Sequence, residues 1–109
     1  MTCAGQFYDL LKQTKGSLII ISSTAAFHAT VGNPGYNASK AGAVGLTRTL
    51  GKAWAPDGIR VNGVAPGLIA TKMTKVTTDN PKRREATIRS IPLGRIGDPD
   101  DMAGLVLFL

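Results

Sequence analysis

A single cysteine, Cys3, stands in this chain of 109 residues, so no intrachain disulfide can form and no cysteine cluster can hold a metal. Long apolar runs are missing too. The longest, residues 18–21 and 105–109, fall well short of the ~20 residues a membrane-spanning helix needs, and no basic-then-apolar stretch precedes a cleavage site. These absences predict a soluble, cytoplasmic protein that holds no metal. Acidic residues are also scarce, at 7 against 13 Lys and Arg, for a net charge of +6. The excess lies largely at Lys72, Lys75, Lys82, Arg83, Arg84, Arg89 and Arg95. No aromatics interleave with them, and zinc and helix-turn-helix spacings are lacking, which argues for a solvated face and against nucleic acid. Attraction of an acidic ligand is the other option. With 43% hydrophobic and 18% charged residues the balance is that of a globular protein, and the length allows one domain or less.

The order of elements predicts an α/β fold. Residues 2–14 read as a helix with Phe7, Leu10, Leu11 and Tyr8 inward, closed by Lys15-Gly16-Ser17. The run at 18–22 suits a strand buried on both faces, and therefore a parallel sheet. A loop over 24–35 leads through Asn33-Pro34-Gly35 into a helix that Tyr36 opens and that runs to about Trp54, with Leu46, Leu50, Ala53 and Trp54 at helical spacing. Its first half is rich in small residues (Ala38, Ala41, Gly42, Ala43, Gly45), which predicts close approach of another backbone or of a ligand. Pro56-Asp57-Gly58 ends it. A second strand over 59–65 is halted by Pro66-Gly67, and strand, helix, strand makes a right-handed crossover. A polar stretch over 71–80, a helix near 81–91, a turn at Pro92-Leu93-Gly94 and a helix begun by Asp98-Pro99-Asp100-Asp101 complete the chain.

Three residues in this frame carry chemistry. Tyr36 and Lys40 are four apart, which puts them on one helix face with Cβ atoms roughly 5–6 Å apart. A tyrosine that moves protons near neutrality needs a pKa roughly three below its ordinary ~10. A cation at about 4 Å in an effective dielectric of ~20 contributes roughly 4 kcal/mol, which is enough. The spacing alone is weak, since two tyrosines and seven lysines produce it by chance in roughly one such chain in eight. Context strengthens it. Ligands of open parallel sheets sit beyond the carboxyl ends of the strands, where Ser22-Ser23 and Pro66-Gly67 fall, and Tyr36 enters from the loop that leaves the first strand. His28, in the same loop, reads as solvent-exposed, and Tyr8 and Trp54 as packing.

Taken together, Ile21-Ser22-Ser23, Tyr36-Asn37-Ala38-Ser39-Lys40-Ala41-Gly42, Ile59-Arg60-Val61-Asn62 and Pro66-Gly67-Leu68-Ile69-Ala70-Thr71 resemble the short-chain dehydrogenase/reductase family. Ile91-Pro92-Leu93-Gly94-Arg95, Asp98-Pro99 and Met102-Ala103 point the same way, toward single-domain members similar to 3-oxoacyl-carrier-protein reductases. The resemblance covers essentially the whole chain. It implies the carboxyl-side portion of a Rossmann-like, doubly wound parallel sheet. It also implies an NAD(P)-dependent oxidoreductase interconverting a carbonyl and an alcohol of a small molecule by hydride transfer. By the same resemblance, Tyr36 is the general acid/base, Lys40 lowers the tyrosine's pKa and hydrogen-bonds the nicotinamide ribose, and Ser23 hydrogen-bonds the substrate oxygen, with Ser22 as its spare. Pro66, Gly67, Ile69 and Thr71 would lie along the nicotinamide of NAD or NADP.

The family's Gly-x-Gly-x-x-Gly phosphate loop has no counterpart among thirteen glycines, nor do its supporting asparagine and its last strand. Residues 1–109 therefore read as one incomplete catalytic segment, expected to be loosely folded and inert by itself. Homo-oligomers through the helices 2–14 and 36–54 are implied for the full-length form. The alternatives are a catalytically inert truncated relative that joins full-length subunits through those helices, and an epimerase or dehydratase using a similar tyrosine and lysine.

Overall fold

Helical spacing, β-branched runs and turn residues along the chain translate into seven regular elements in the computed structural model, which describes residues 3–109. They are α1 (Cys3–Thr14), β1 (Ser17–Ile21), α2 (Pro34–Trp54), β2 (Arg60–Val64), α3 (Lys75–Thr78), α4 (Pro81–Ser90) and α5 (Pro99–Phe108). They divide into two compact units. One comprises the described residues up to Ala65 together with Leu109, and the other is Pro66–Phe108. Residue 2 of the helix expected over 2–14 lies outside the described residues.

The first unit is built on the strand pair. β1 and β2 are parallel, with Ser17 opposite Arg60 and Ile21 opposite Val64, and Ser22 N–H extends the ladder by donating to Val64 O at 2.7 Å. The crossover between them is α2, which packs on β2 closely enough that a Cβ on Gly63 would stand 3.2 Å from Thr47 Oγ1. The small residues that let α2 approach the sheet are thus Gly63 and Gly51, whose own Cβ would meet Val61 at 3.6 Å. By contrast, a Cβ on Gly42 or Gly45 would meet nothing within 4 Å, so packing among the described residues does not call on these two glycines.

Two turns set the strand entrances. Lys15 takes a left-handed φ of 51° between α1 and β1, and Gly58 takes 78° where the turn Ala55–Asp57 closes α2. A side chain at Gly58 would be strained there. At the same corner Tyr8 of α1 lies 5.2 Å, centroid to centroid, from Trp54 of α2. The Tyr8 hydroxyl also donates to Asp57, whose carboxylate lies 3.4 Å from Lys12 Nζ. The packing expected for these two rings is met, with a polar clasp added.

The inward face expected for α1 is corrected. Phe7 is 52% exposed and Leu10 59%, while Leu11 is half-buried. Nor is β1 buried on both faces, for its residues are half-buried and Ile21 is exposed. The apolar stripe and the isoleucine run report what an element is able to bury, and among the described residues the only sheet neighbour of β1 is β2. The core of the first unit is correspondingly small, at Ala25, Ile59 and Val64 with the buried Ser22 hydroxyl.

Short-range bonds hold the second unit. Ile69 and Gly97 form a parallel bridge, with Ala70 N–H donating to Gly97 O at 2.8 Å and Gly97 N–H to Leu68 O at 3.0 Å. The stretch expected to be merely polar over 71–80 carries a 3-10 turn, Lys72–Thr74, and the short α3. The reason is local. Thr74 Oγ1 accepts from Thr71 N–H at 2.9 Å and donates to Ile69 O at 2.7 Å, which closes the turn. Asn80 caps α4 by accepting from Lys82 and Arg83 N–H, both at 3.1 Å. Ahead of α5, Arg95 grips Asp101 in a two-pronged pair at 2.8 and 2.9 Å, and Asp101 also accepts from Asp98 N–H at 2.7 Å.

Candidate active site

Ser23, Tyr36 and Lys40 all belong to the first unit, and local structure explains how each is held. Ser23 follows β1 and caps the turn Thr24–Ala26, its Oγ accepting Ala25 N–H at 3.1 Å. With a lone pair thus engaged, the hydroxyl proton remains available to donate to an incoming oxygen. Tyr36 occupies the first turn of α2, where its N–H donates to the Asn33 side chain at 3.2 Å. That Asn-Pro start is a helix signal met as expected, two residues ahead of the tyrosine.

Lys40 lies one turn further on. Its Nζ sits 5.6 Å from the centre of the Tyr36 ring, close enough for the cation to act on the phenol, and donates to Ile21 O at 3.3 Å. Two ammonium donors remain for other partners. The spare serine separates cleanly from the candidate. Ser22 is only 6% exposed, and its hydroxyl donates to Lys40 O at 2.8 Å, so it fastens the helix turn that carries the lysine to the end of β1. His28 is exposed, with Nδ1 at 3.2 Å from Ala29 O.

The expected cofactor residues of the second unit begin directly after β2 in the chain. A Cβ on Gly67 would meet nothing within 4 Å, so its backbone is open to a flat ring. Ile69 and Thr71 flank the segment that Thr74 pins. The Thr71 N–H is spent on Thr74, and its hydroxyl stands 3.5 Å from Thr74 Oγ1. No group of three or more His, Cys, Asp or Glu that could hold a metal occurs among the described residues, and no helix is long and apolar enough to cross a membrane.

Sequence reasoning passed over three residues that build this arrangement: Ser22 as an anchor, Thr74 as a pin, and Asn37. The Asn37 side chain donates to Ala25 O at 2.8 Å and to His28 O at 2.9 Å. A threonine three residues after another is a recognisable local turn signal for Thr74. Nothing local announces Asn37, whose partners lie nine and twelve residues away.

Ser23, Tyr36 and Lys40 thus gather near the end of β1 within one unit, with Lys40 bonded to the last carbonyl of that strand. The family model described as enoyl-(acyl carrier protein) reductase matches residues 1–109. The chain belongs to the short-chain dehydrogenase/reductase family. Among curated relatives, the 3-oxoacyl-[acyl-carrier-protein] reductase of Thermotoga maritima is 44% identical over 100 residues, 92% of this chain and 40% of the relative. A gluconate 5-dehydrogenase from Burkholderia cenocepacia, solved with NADP and tartrate, superposes with a TM-score of 0.91 at 27% identity, over 97% of this chain and 42% of that one. A 7α-hydroxysteroid dehydrogenase, solved with NADH and 7-oxo glycochenodeoxycholic acid, gives 0.90 at 31%, over 97% and 42%. The chain spans about two fifths of the length of the curated relatives it matches.

Proposed function

We propose that the protein carrying this chain is an NAD(P)-dependent oxidoreductase that interconverts a carbonyl and an alcohol on a small molecule, and that residues 1–109 supply its catalytic segment. The observation that carries the reading is the Lys40 ammonium 5.6 Å from the Tyr36 ring, in the unit where Ser23 keeps a proton to donate. Bound NAD or NADP would supply the hydride donor or acceptor for the substrate carbon.

In this reading the Tyr36 hydroxyl gives a proton to the carbonyl oxygen in reduction and takes one from the alcohol in oxidation. Lys40 stands over the Tyr36 ring, and its two unspent donors suit the ribose hydroxyls of the nicotinamide. Ser23 donates to the same substrate oxygen, which positions and polarises it. Each unit taken by itself offers groups that suit the cofactor: in the first Lys40 has donors to spare, and in the second Gly67 leaves room for a ring and the Thr71 hydroxyl suits a carboxamide. The exposed Phe7, Leu10 and Leu46 on α1 and α2 support association of copies through these helices.

Tyr36→Phe tests the reading. In the protein carrying this chain, kcat should fall by between about a hundredfold and ten-thousandfold, with NAD(P)H affinity by fluorescence titration nearly unchanged. Unchanged turnover would remove Tyr36 from the chemistry.

A further inference from the structure

The side chain next to the candidate acid/base does something the proton chemistry does not use. Asn37 follows Tyr36 in the first turn of α2, and its amide nitrogen donates both protons back into the loop that leaves Ser23: to Ala25 O at 2.8 Å and to His28 O at 2.9 Å. Both partners are carbonyls, which accept only, so the amide orientation is fixed with nitrogen toward the loop. Its Oδ1 then points into a buried position where it meets no hydrogen-bond donor. An unpaired buried acceptor costs stability, so the two donations are kept at the expense of the third bond.

Those two carbonyls belong to the segment that Ser23 initiates. Ser23 accepts Ala25 N–H through its side chain, Ser23 O accepts Ala26 N–H at 3.0 Å, and Ala25 itself is 7% exposed. Ser23, Ala25 and Asn37 therefore form one chain of hydrogen bonds that ends on the neighbour of Tyr36. We infer that Asn37 is a positioning residue that fixes the Ser23 hydroxyl relative to the Tyr36 phenol by tying the turn after β1 to the first turn of α2. An alanine there leaves the loop carbonyls to water. An aspartate keeps the shape but turns a carboxylate oxygen toward two carbonyl oxygens, which repel it.

The proposal rests on the oxidoreductase reading, and a double-mutant cycle in the protein carrying this chain separates the two. Asn37→Ala and Asn37→Asp should each lower kcat between about tenfold and a hundredfold with Ser23 present, while the cofactor KM stays within about twofold. In a Ser23→Ala background the same changes should cost almost nothing more, because the residue they act through is gone. Equal losses in both backgrounds, or none in either, overturn the proposal while leaving Tyr36→Phe to judge the reaction itself. Where Tyr36→Phe shows that the reaction reading has failed, backbone amide exchange decides. Ala26 and Phe27 amides that exchange at least about tenfold faster in Asn37→Ala than in the parent support the clamp, and unchanged rates overturn it.

Discussion

The two units differ in how they are held together, and each carries a different set of candidate residues. The first is built on a parallel ladder closed by α2, and all the buried residues among those described lie in it. The second has none and relies on one bridge, a pinned turn, capped helices and a surface ion pair. The residues proposed to move a proton, Ser23, Tyr36 and Lys40, sit on the first. Pro66, Gly67, Ile69 and Thr71, proposed to meet the cofactor, sit on the second, as does the run of cations. Proton transfer demands fixed geometry, which ladder hydrogen bonds supply. Contacts with a ligand tolerate a segment whose shape is set by local turns.

The largest expected effect comes from placing one lesion on each side of that division. Lys40→Met removes both the cation beside Tyr36 and two candidate ribose donors, so kcat should drop at least about a hundredfold and NAD(P)H affinity should also weaken. Thr71→Val in the second unit removes one hydroxyl, so affinity should fall no more than about tenfold with kcat largely retained. Stopped-flow turnover combined with fluorescence titration reads the two apart. Equal kcat losses would erase the distinction between a chemical and a binding unit.

Stability supplies the next contrast. Ile59 is 3% exposed at the entrance to β2, so Ile59→Ala should cost about 2–5 kcal/mol in denaturant unfolding. Met73, 76% exposed in the second unit, should change stability by no more than ~0.5 kcal/mol when replaced by alanine. Between them lies Gly97→Ala. Its added Cβ would strike the Ile69 side chain and stand 3.2 Å from Leu68 O, against the bridge that organises the second unit, for a loss of about 1–3 kcal/mol. A loss as large as that of Ile59→Ala would show that the second unit is more tightly packed than its exposure indicates.

These lesions also mark what was legible in the sequence. The isoleucine run, the Asn33-Pro34 helix start and the Pro-Gly stop after β2 are local signals with one physical reading each, and the strand pair and α2 came out within one or two residues of their expected ends. That Tyr36 and Lys40 share one face of α2 was legible because spacing on a helix needs no tertiary information. Burial was not, since Phe7 and Leu10 carry the right periodicity yet are exposed. Asn37 was illegible for a different reason. In the sequence it is one residue between two informative ones, and its role exists only once a carbonyl twelve residues upstream has been folded against it. Ser22, kept in the sequence as the spare for Ser23, is instead buried with its hydroxyl on Lys40 O, a partner eighteen residues away that no local signal announces.

The smallest effects concern pH, and they sharpen the contrast most finely because each unit carries one carboxylate clasp. In the second unit, hydrogen bonds from Arg95 and then from Asp98 N–H hold the Asp101 carboxyl well below the usual aspartate range, and Arg95 is raised in turn. In the first, the hydrogen bond from Tyr8 lowers Asp57, with Lys12 adding its charge, and the same bond raises Tyr8. A carboxyl lowered by folding contributes its full stabilisation above the unfolded value of ~3.9 and loses it as pH falls from there through the folded value. Both units should therefore weaken in acid. A tyrosine raised by folding contributes fully below its unfolded value near ~10 and loses that contribution as pH rises through the folded one. Only the first unit should weaken in alkali, because the guanidinium of the second stays charged. Amide exchange followed residue by residue from pH 3 to 11 separates the units, with Asp101→Asn expected to flatten the acid limb of the second and Tyr8→Phe the alkaline limb of the first. An alkaline limb that persists in Tyr8→Phe would mean that the clasp between α1 and the end of α2 contributes nothing to holding the ladder unit closed.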